Sequence, residues 1–430
     1  MSGEASEVAP VTVLPAARRL QVMAYGGLIL LLLQFAAPYE GLIGLPITFF
    51  LKNKLHLSAN AVAQFNVLTA GPLFLGFLFG MLRDRWSPFG TGDRGLLVMF
   101  GLITGAIYAA VAFVAPSYAV LLGAVILLSC AIQVAWAAGR GMMADIGQQH
   151  AMAGQTSTVM NMAAVVPLLV AYLLGGVLSG MLEGNSATAA ARMLFLVGGG
   201  LMAAVAICAW LGPKSLFQAA PRTASSTSLA ADVLRIARHR PVYPALAIYL
   251  LWQFAPAGGV ALQFHMANTL HATDAQVGAF YGVFYFGFIP TVAAYGWLCQ
   301  RMRLEKLLWW GTFGAVLQWL PLLFARTPGQ ALMAAIPIGL MGGIAQAAYV
   351  DLAIRSCPRG LQGTMAMLLI AAYWVSLRFG DLWGAWLYDH KGGFTTAVYA
   401  TIAVYAAILP LLLLIPKHLI ATADGEALAV

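Results

Sequence analysis

Residues 80–95 read GMLRDRWSPFGTGDRG. Glycines, a proline and five charged side chains crowd into this one stretch, and apolar runs near 60–82 and 95–115 flank it. Each run matches the about 20 residues a helix needs to cross hydrocarbon. A short charged bend between two such runs is the turn of a membrane hairpin. Working outward, the alternation continues, with spans predicted near 22–51, 117–139, 156–180 and 190–212. A second set is predicted near 241–268, 274–299, 304–325, 327–354, 361–388 and 394–416. The expected fold class is an all-α polytopic membrane protein, with twelve transmembrane helices in two pseudo-symmetric six-helix bundles.

Composition supports this reading. The chain has 430 residues, 61% of them hydrophobic and only 9% charged. Soluble domains carry about 25% charged residues, and a chain this apolar could not cover a water-facing surface. The net charge of +8 sits in short loops rather than in a tract that would track a phosphate backbone, so no nucleic-acid partner is expected. With the N-terminus inside, 17 of the 23 Lys and Arg residues fall on the cytoplasmic side, Arg140 among them, and 5 on the outer side. That bias places both termini in the cytoplasm, of a bacterial inner membrane. The four cysteines are scattered and suggest packing rather than metal or disulfide chemistry. The predicted organisation is a tail over 1–21, a first bundle over 22–212, a linker over 213–240, a second bundle over 241–416 and a tail over 417–430. Within the linker, LAADVLRIARHR puts Leu229, Val233 and Ile236 on one face, as in a helix lying on the inner leaflet.

The halves repeat. LLLQFA at 31–36 returns as LLWQFA at 250–255, and NKLHLSANAVAQF at 53–65 aligns with NTLHATDAQVGAF at 268–280. Asp145 with Gly154 aligns with Asp351 and Gly360. Parallel repeats about an axis along the membrane normal are a transporter pattern.

Gly80, Leu82, Asp84 and Arg85 fit the G-x-L-x-D-R signature, and with the repeat and span count the chain resembles the major facilitator superfamily. FLKNKLHLS at 50–58, DRWSPFG at 84–90 and CPRGLQGT at 357–364 look like the folate–biopterin transporter branch and the neighbouring muropeptide permeases. The resemblance implies a cytoplasmic gate. Asp84 would set its charge against the N-terminus of span 11, near Gly360 to Thr364, where free N–H groups favour anions. Arg85 and Arg94 are then expected to pair with Asp145. The second half has GWLCQRMR in the matching loop, with Gln300 in place of the Asp, so a one-sided latch is expected unless Glu305 substitutes.

Charged residues at membrane depth are few and default to functional candidates. Glu40 lies late in span 1 and is the predicted proton carrier, with His265 the next candidate. Arg378 and Asp381 lie in span 11 at i,i+3 and are both predicted at the substrate site, with Arg378 the partner of an anionic substrate. The alternative is that these three charges form an interfacial ion pair near the outer headgroups. The predicted cavity lining is Gln34, Gln133, Gln253, Tyr281, Tyr285, Gln346, Tyr373 and Trp374, with Asn66, Asn161 and Gln263 as further polar candidates.

The expected function is secondary active transport of a small organic solute by alternating access, coupled to protons. A pterin- or folate-like anion and a muropeptide or siderophore remain open as substrates. The alternative is a non-transporting sensor or assembly factor of the same fold. No phosphate-binding loop, metal cluster or nucleophile–base pair is legible, so no enzyme activity, cofactor or metal is expected. The expected partners are the solute, protons and the lipid bilayer, with the chain acting as a monomer.

Overall fold

A computed structural model describes residues 14–39, 41–44, 47, 50–51, 55–56, 59–183, 186–213, 216–217 and 229–426. Glu40 lies outside the described residues. Among the described residues, eleven helices are long and apolar enough to cross a bilayer, and the shorter Val242–Gln253 belongs to a twelfth pass.

The first bundle comprises span 1 (Ala16–Ala36), span 2 (Ala59–Thr69, Gly71–Phe74 and Gly76–Arg85), span 3 (Asp93–Ala112), span 4 (Tyr118–Gln149), span 5 (Ala153–Glu183) and span 6 (Ala187–Leu211). A linker helix, Leu229–Arg238, follows. The second bundle comprises span 7 (Val242–Gln253, Gly259–Phe264 and the π-turn His265–Thr269), span 8 (Asp274–Leu298), span 9 (Leu304–Leu317 and Leu320–Phe324), span 10 (Pro328–Arg355), span 11 (Gln362–His390) and span 12 (Gly393–Ala406 and Ile408–Leu412).

Three expected boundaries move. Span 1 begins at Ala16, so Arg18 and Arg19 belong to its first turns rather than to a tail. Span 4 runs to Gln149 instead of ending near 139, which carries Arg140 and Asp145 inside the helix. The C-terminal segment docks through the short helix Lys417–Ile420 and the residues after it. Apolar periodicity could not place the end of span 4, because buried Asp145 and half-buried Arg140 both find partners inside the fold and so do not end the helix.

Span 3 packs on span 6, and spans 9 and 10 pack together, within their own halves. The halves meet where span 5 faces span 8 and where span 2 faces span 11. Large apolar side chains cover the outside, among them Trp210, Trp310, Phe324, Met333 and Leu413, all exposed. A soluble protein does not leave such a surface bare; lipid covers it, while helices satisfy the backbone. Span 7 is the broken one. It opens after Gln253, turns through Gly258 and Gly259, and resumes as a short helix with Gly259 at φ +43°. An added Cβ at Gly259 would collide with the Asp381 carboxylate of span 11, so this position requires glycine.

Candidate functional site

Two features lie between the halves: a latched end, on the side of both termini, and a cavity above it.

At the latched end the Asp84 carboxylate lies on the N-terminus of span 11. Its Oδ1 accepts from Gly363 N at 3.0 Å, and its Oδ2 accepts from Thr364 N and Thr364 Oγ1, both at 2.7 Å. The bend after span 2 then brings the Arg83 guanidinium into a cluster of acids. Arg83 Nε donates to Asp93 Oδ1 at 2.8 Å, Nη1 to Asp84 Oδ1 at 2.9 Å, and Nη2 to Asp93 Oδ2 and Asp145 Oδ2, both at 2.6 Å. Arg83 is 1% exposed. One buried cation thus serves three carboxylates. Asp84 has the span 11 N-terminus as well, and Asp93 stands at the start of span 3, where the helix dipole also favours an anion.

The pairing differs from the expectation in one respect: Asp145 belongs to Arg83, not to Arg85 or Arg94. Arg85 reaches Asp232 of the linker helix at 2.6 Å, and Arg94 donates to Gly212 O and lies over the Phe217 ring. The signature draws attention to Arg85, but helical geometry turns Arg83 inward toward spans 3 and 4. Gly80 fixes how close the halves come. A Cβ there would fall 2.6 Å from Thr364 Cα and against Gly363 O. Because both obstacles are backbone, Gly80→Ala must push span 2 off span 11. We expect a loss of about 1–3 kcal/mol of stability, read as a lower unfolding midpoint in detergent; an unchanged midpoint would contradict this packing.

Above the latch is a cavity of about 300 Å³. Seven of the eight predicted lining residues are there: Gln34, Gln253, Tyr281, Tyr285, Gln346, Tyr373 and Trp374, with Asn161. Gln133 is fully buried behind the wall, its amide without a hydrogen-bond partner. Asn66 and Gln263 are exposed and stand outside it. Gln346 joins the halves by donating to Asn161 Oδ1 at 2.9 Å, while its own oxygen accepts from Gln253 Nε2 at 3.2 Å and from Trp252 Nε1.

The remaining candidates are placed elsewhere. Arg378 is outside the lining, its side chain 46% exposed, 4.0 Å from Asp381 and facing the Trp374 ring at 5.8 Å. His265 is stacked flat on Phe394 at 4.2 Å, also off the cavity. What sequence reasoning missed is Arg140, the one charged side chain among the described lining residues. Its guanidinium lies 4.3 Å from the Trp136 ring centroid, a cation–π arrangement. A signal was present: Gln133, Trp136 and Arg140 fall at i, i+3 and i+7, one helical face. Further aromatic rings line the wall, most of them from the second half, among them Trp252, Phe284, Phe288 and Trp319, with Tyr39 from the first.

The arrangement is a closed end, a cavity between two repeated bundles, and polar bridges across the divide. Residues 23–380 match the family model described as Major Facilitator Superfamily. The chain belongs to the Major Facilitator Superfamily. Among curated proteins it is 24% identical to the folate-biopterin transporter of Synechocystis over 416 residues, covering 90% of this chain and 80% of that one. Solved structures share the fold. The Escherichia coli fucose:proton symporter gives a TM-score of 0.70 at 14% identity, over 92% of this chain and 99% of that one. The human organic anion transporter TETRAN gives 0.64 at 16% identity, over 93% and 100%.

Proposed function

We propose that this major facilitator transporter carries a flat, anionic heteroaromatic solute of the pterin class by alternating access, coupled to protons. The carrying observation is the cavity: aromatic walls, amide side chains at fixed positions, and a single guanidinium, Arg140, stacked on Trp136. Aromatic faces suit a planar ring. The amides of Gln253, Gln346 and Asn161 match ring nitrogens and carbonyls, and a planar guanidinium pairs with carboxylate in bidentate fashion. A volume of about 300 Å³ is at the lower end for small-molecule sites. That favours one fused-ring solute over a muropeptide or siderophore, and the similarity to a folate-biopterin transporter agrees with it.

In this reading the membrane is a bacterial inner membrane and both termini face the cytoplasm, an orientation that the Lys and Arg bias supports. The proton is carried by a carboxyl at membrane depth. Glu40 is the carboxyl the sequence offers. Asp381 is the described one best placed, since it lies half-buried against the break in span 7. The test is equilibrium binding to purified protein in nanodiscs, comparing a pterin bearing a carboxylate with the uncharged ring. The acid is expected to bind about tenfold more tightly or better, the scale of one charge-assisted hydrogen bond. Equal affinities would remove Arg140 from the site.

A further inference from the structure

The loop of the second half that matches Asp84 carries no acid. Gln300 stands there with its side chain folded back onto Gly296 O at 2.7 Å, and Glu305 is exposed. The equivalent place is filled from elsewhere in the chain. Asp424, beyond the last span, accepts from Gly154 N at 3.2 Å and from Gln155 N at 2.9 Å. These are the second and third residues of span 5, as Gly363 and Thr364, the donors to Asp84, are of span 11. Asp424 also pairs with Arg355 at 3.0 Å, and Arg355 holds Asp351, the repeat partner of Asp145, at 2.8 Å. The match extends to the close approach. A Cβ on Gly154 would fall 2.6 Å from Cys299 Cβ, much as one on Gly80 would meet span 11.

We propose that Asp424 is the second latch of the transport cycle, supplied by the C-terminal segment in place of the loop acid missing at Gln300. The expected one-sided latch is thereby replaced by a two-sided one. The segment spans the divide through its backbone as well. Asp424 N donates to Cys299 O and Gly425 N donates to Ala151 O, both at 2.8 Å, so one bond reaches each half. Arg355 Nη1 anchors its root by donating to Thr422 O at 3.0 Å and Leu419 O at 3.2 Å. Asp424 is 6% exposed. Burial, reinforced by the Asp351 charge, pushes its carboxyl above the usual carboxylate range, while Arg355 and the two span 5 amides favour the ionised form. Opening this end must part span 5 from span 8, and a segment that stays with the second half then loses its bonds to the first, those from Gly154 N and Gln155 N to Asp424 and from Gly425 N to Ala151 O.

The proposal rests on the alternating-access reading, but its test needs no solute, so failure here leaves the ligand assignment standing. Cys299 is buried under Asp424, with Sγ 3.6 Å from Oδ2, and Cys357 is buried at the other latch, its carbonyl accepting from Gln148 Nε2 at 2.8 Å. The two thiols report opening at the two latches. Full-length protein in nanodiscs is labelled with N-ethylmaleimide and followed peptide by peptide, with Cys130 and Cys208 of spans 4 and 6 as internal references. Asp424→Asn removes the anion facing Arg355 and one acceptor for the span 5 amides. Labelling of both Cys299 and Cys357 is expected to speed up about tenfold relative to the references. Deletion of 421–430 should do at least as much. Faster labelling at Cys299 alone, or no change at Cys357 in either variant, would show that the segment only covers span 8 and would overturn the proposal.

Discussion

Arg83→Leu is expected to leave little folded protein. The leucine fills part of the space but strands Asp84, Asp93 and Asp145 in a buried site that now holds no cation. Removing one partner of a buried ion pair costs about 3–5 kcal/mol, and here three carboxylates lose the same partner. Asp84 retains the span 11 amides and Asp93 the start of span 3, so Asp145 loses most. Asp145→Asn in the Arg83→Leu background should therefore recover part of the loss, because contacting groups are not additive. Arg83→Lys is expected to be intermediate: one ammonium cannot reproduce the fork that engages Asp93 through Nε and Nη2 together. The measurement is monodisperse yield and unfolding midpoint in detergent. Native stability of Arg83→Leu would contradict the cluster.

Arg140→Gln is expected to abolish high-affinity binding of the carboxylated solute while sparing the fold. Truncating one partner of a buried charge pair weakens binding by about a hundredfold or more. The uncharged ring should lose far less, since aromatic walls and amides remain. That contrast separates an anion partner from a residue that only shapes the Trp136 wall, where both ligands would weaken equally. Arg140→Lys should fall between, having the charge without the planar guanidinium that lies over the Trp136 ring. The position also sits where binding can influence the gate. Arg140 is five residues before Asp145 on span 4, about 7.5 Å along the axis. A solute that draws on Arg140 pulls on the helix that carries one of the acids held by Arg83.

Span number and membrane class follow from the hydrophobic pattern, because an apolar run of about twenty residues has few other uses, and the two halves follow from the repeated motifs at 31–36 and 250–255 and at 53–65 and 268–280. The position of Asp84 was equally legible, through a local signature next to a helix start. What stayed hidden depended on tertiary pairing. Arg140 was counted with the cytoplasmic loops because a charge at the end of an apolar run reads as a boundary, and only the packing of span 4 shows that the helix continues. Arg83 and Arg85 are two residues apart, and which of them turns inward depends on helix phase relative to spans 3 and 4. The Asp424 contact joins positions about 270 residues apart in the chain, with no local pattern to announce it. Arg378 drew attention as a charge within a span, yet it sits at the rim, where a half-exposed guanidinium needs no buried partner.

Flux measurements show whether the cavity above the latched end carries a planar anion across the membrane. Purified protein in liposomes preloaded with a carboxylated pterin should drive uptake of the labelled compound by counterflow, and an imposed inward proton gradient should concentrate it. Arg140→Gln should lose both while remaining folded. Tight, Arg140-dependent binding without counterflow would contradict the account and mark the chain as a sensor built on a transporter fold.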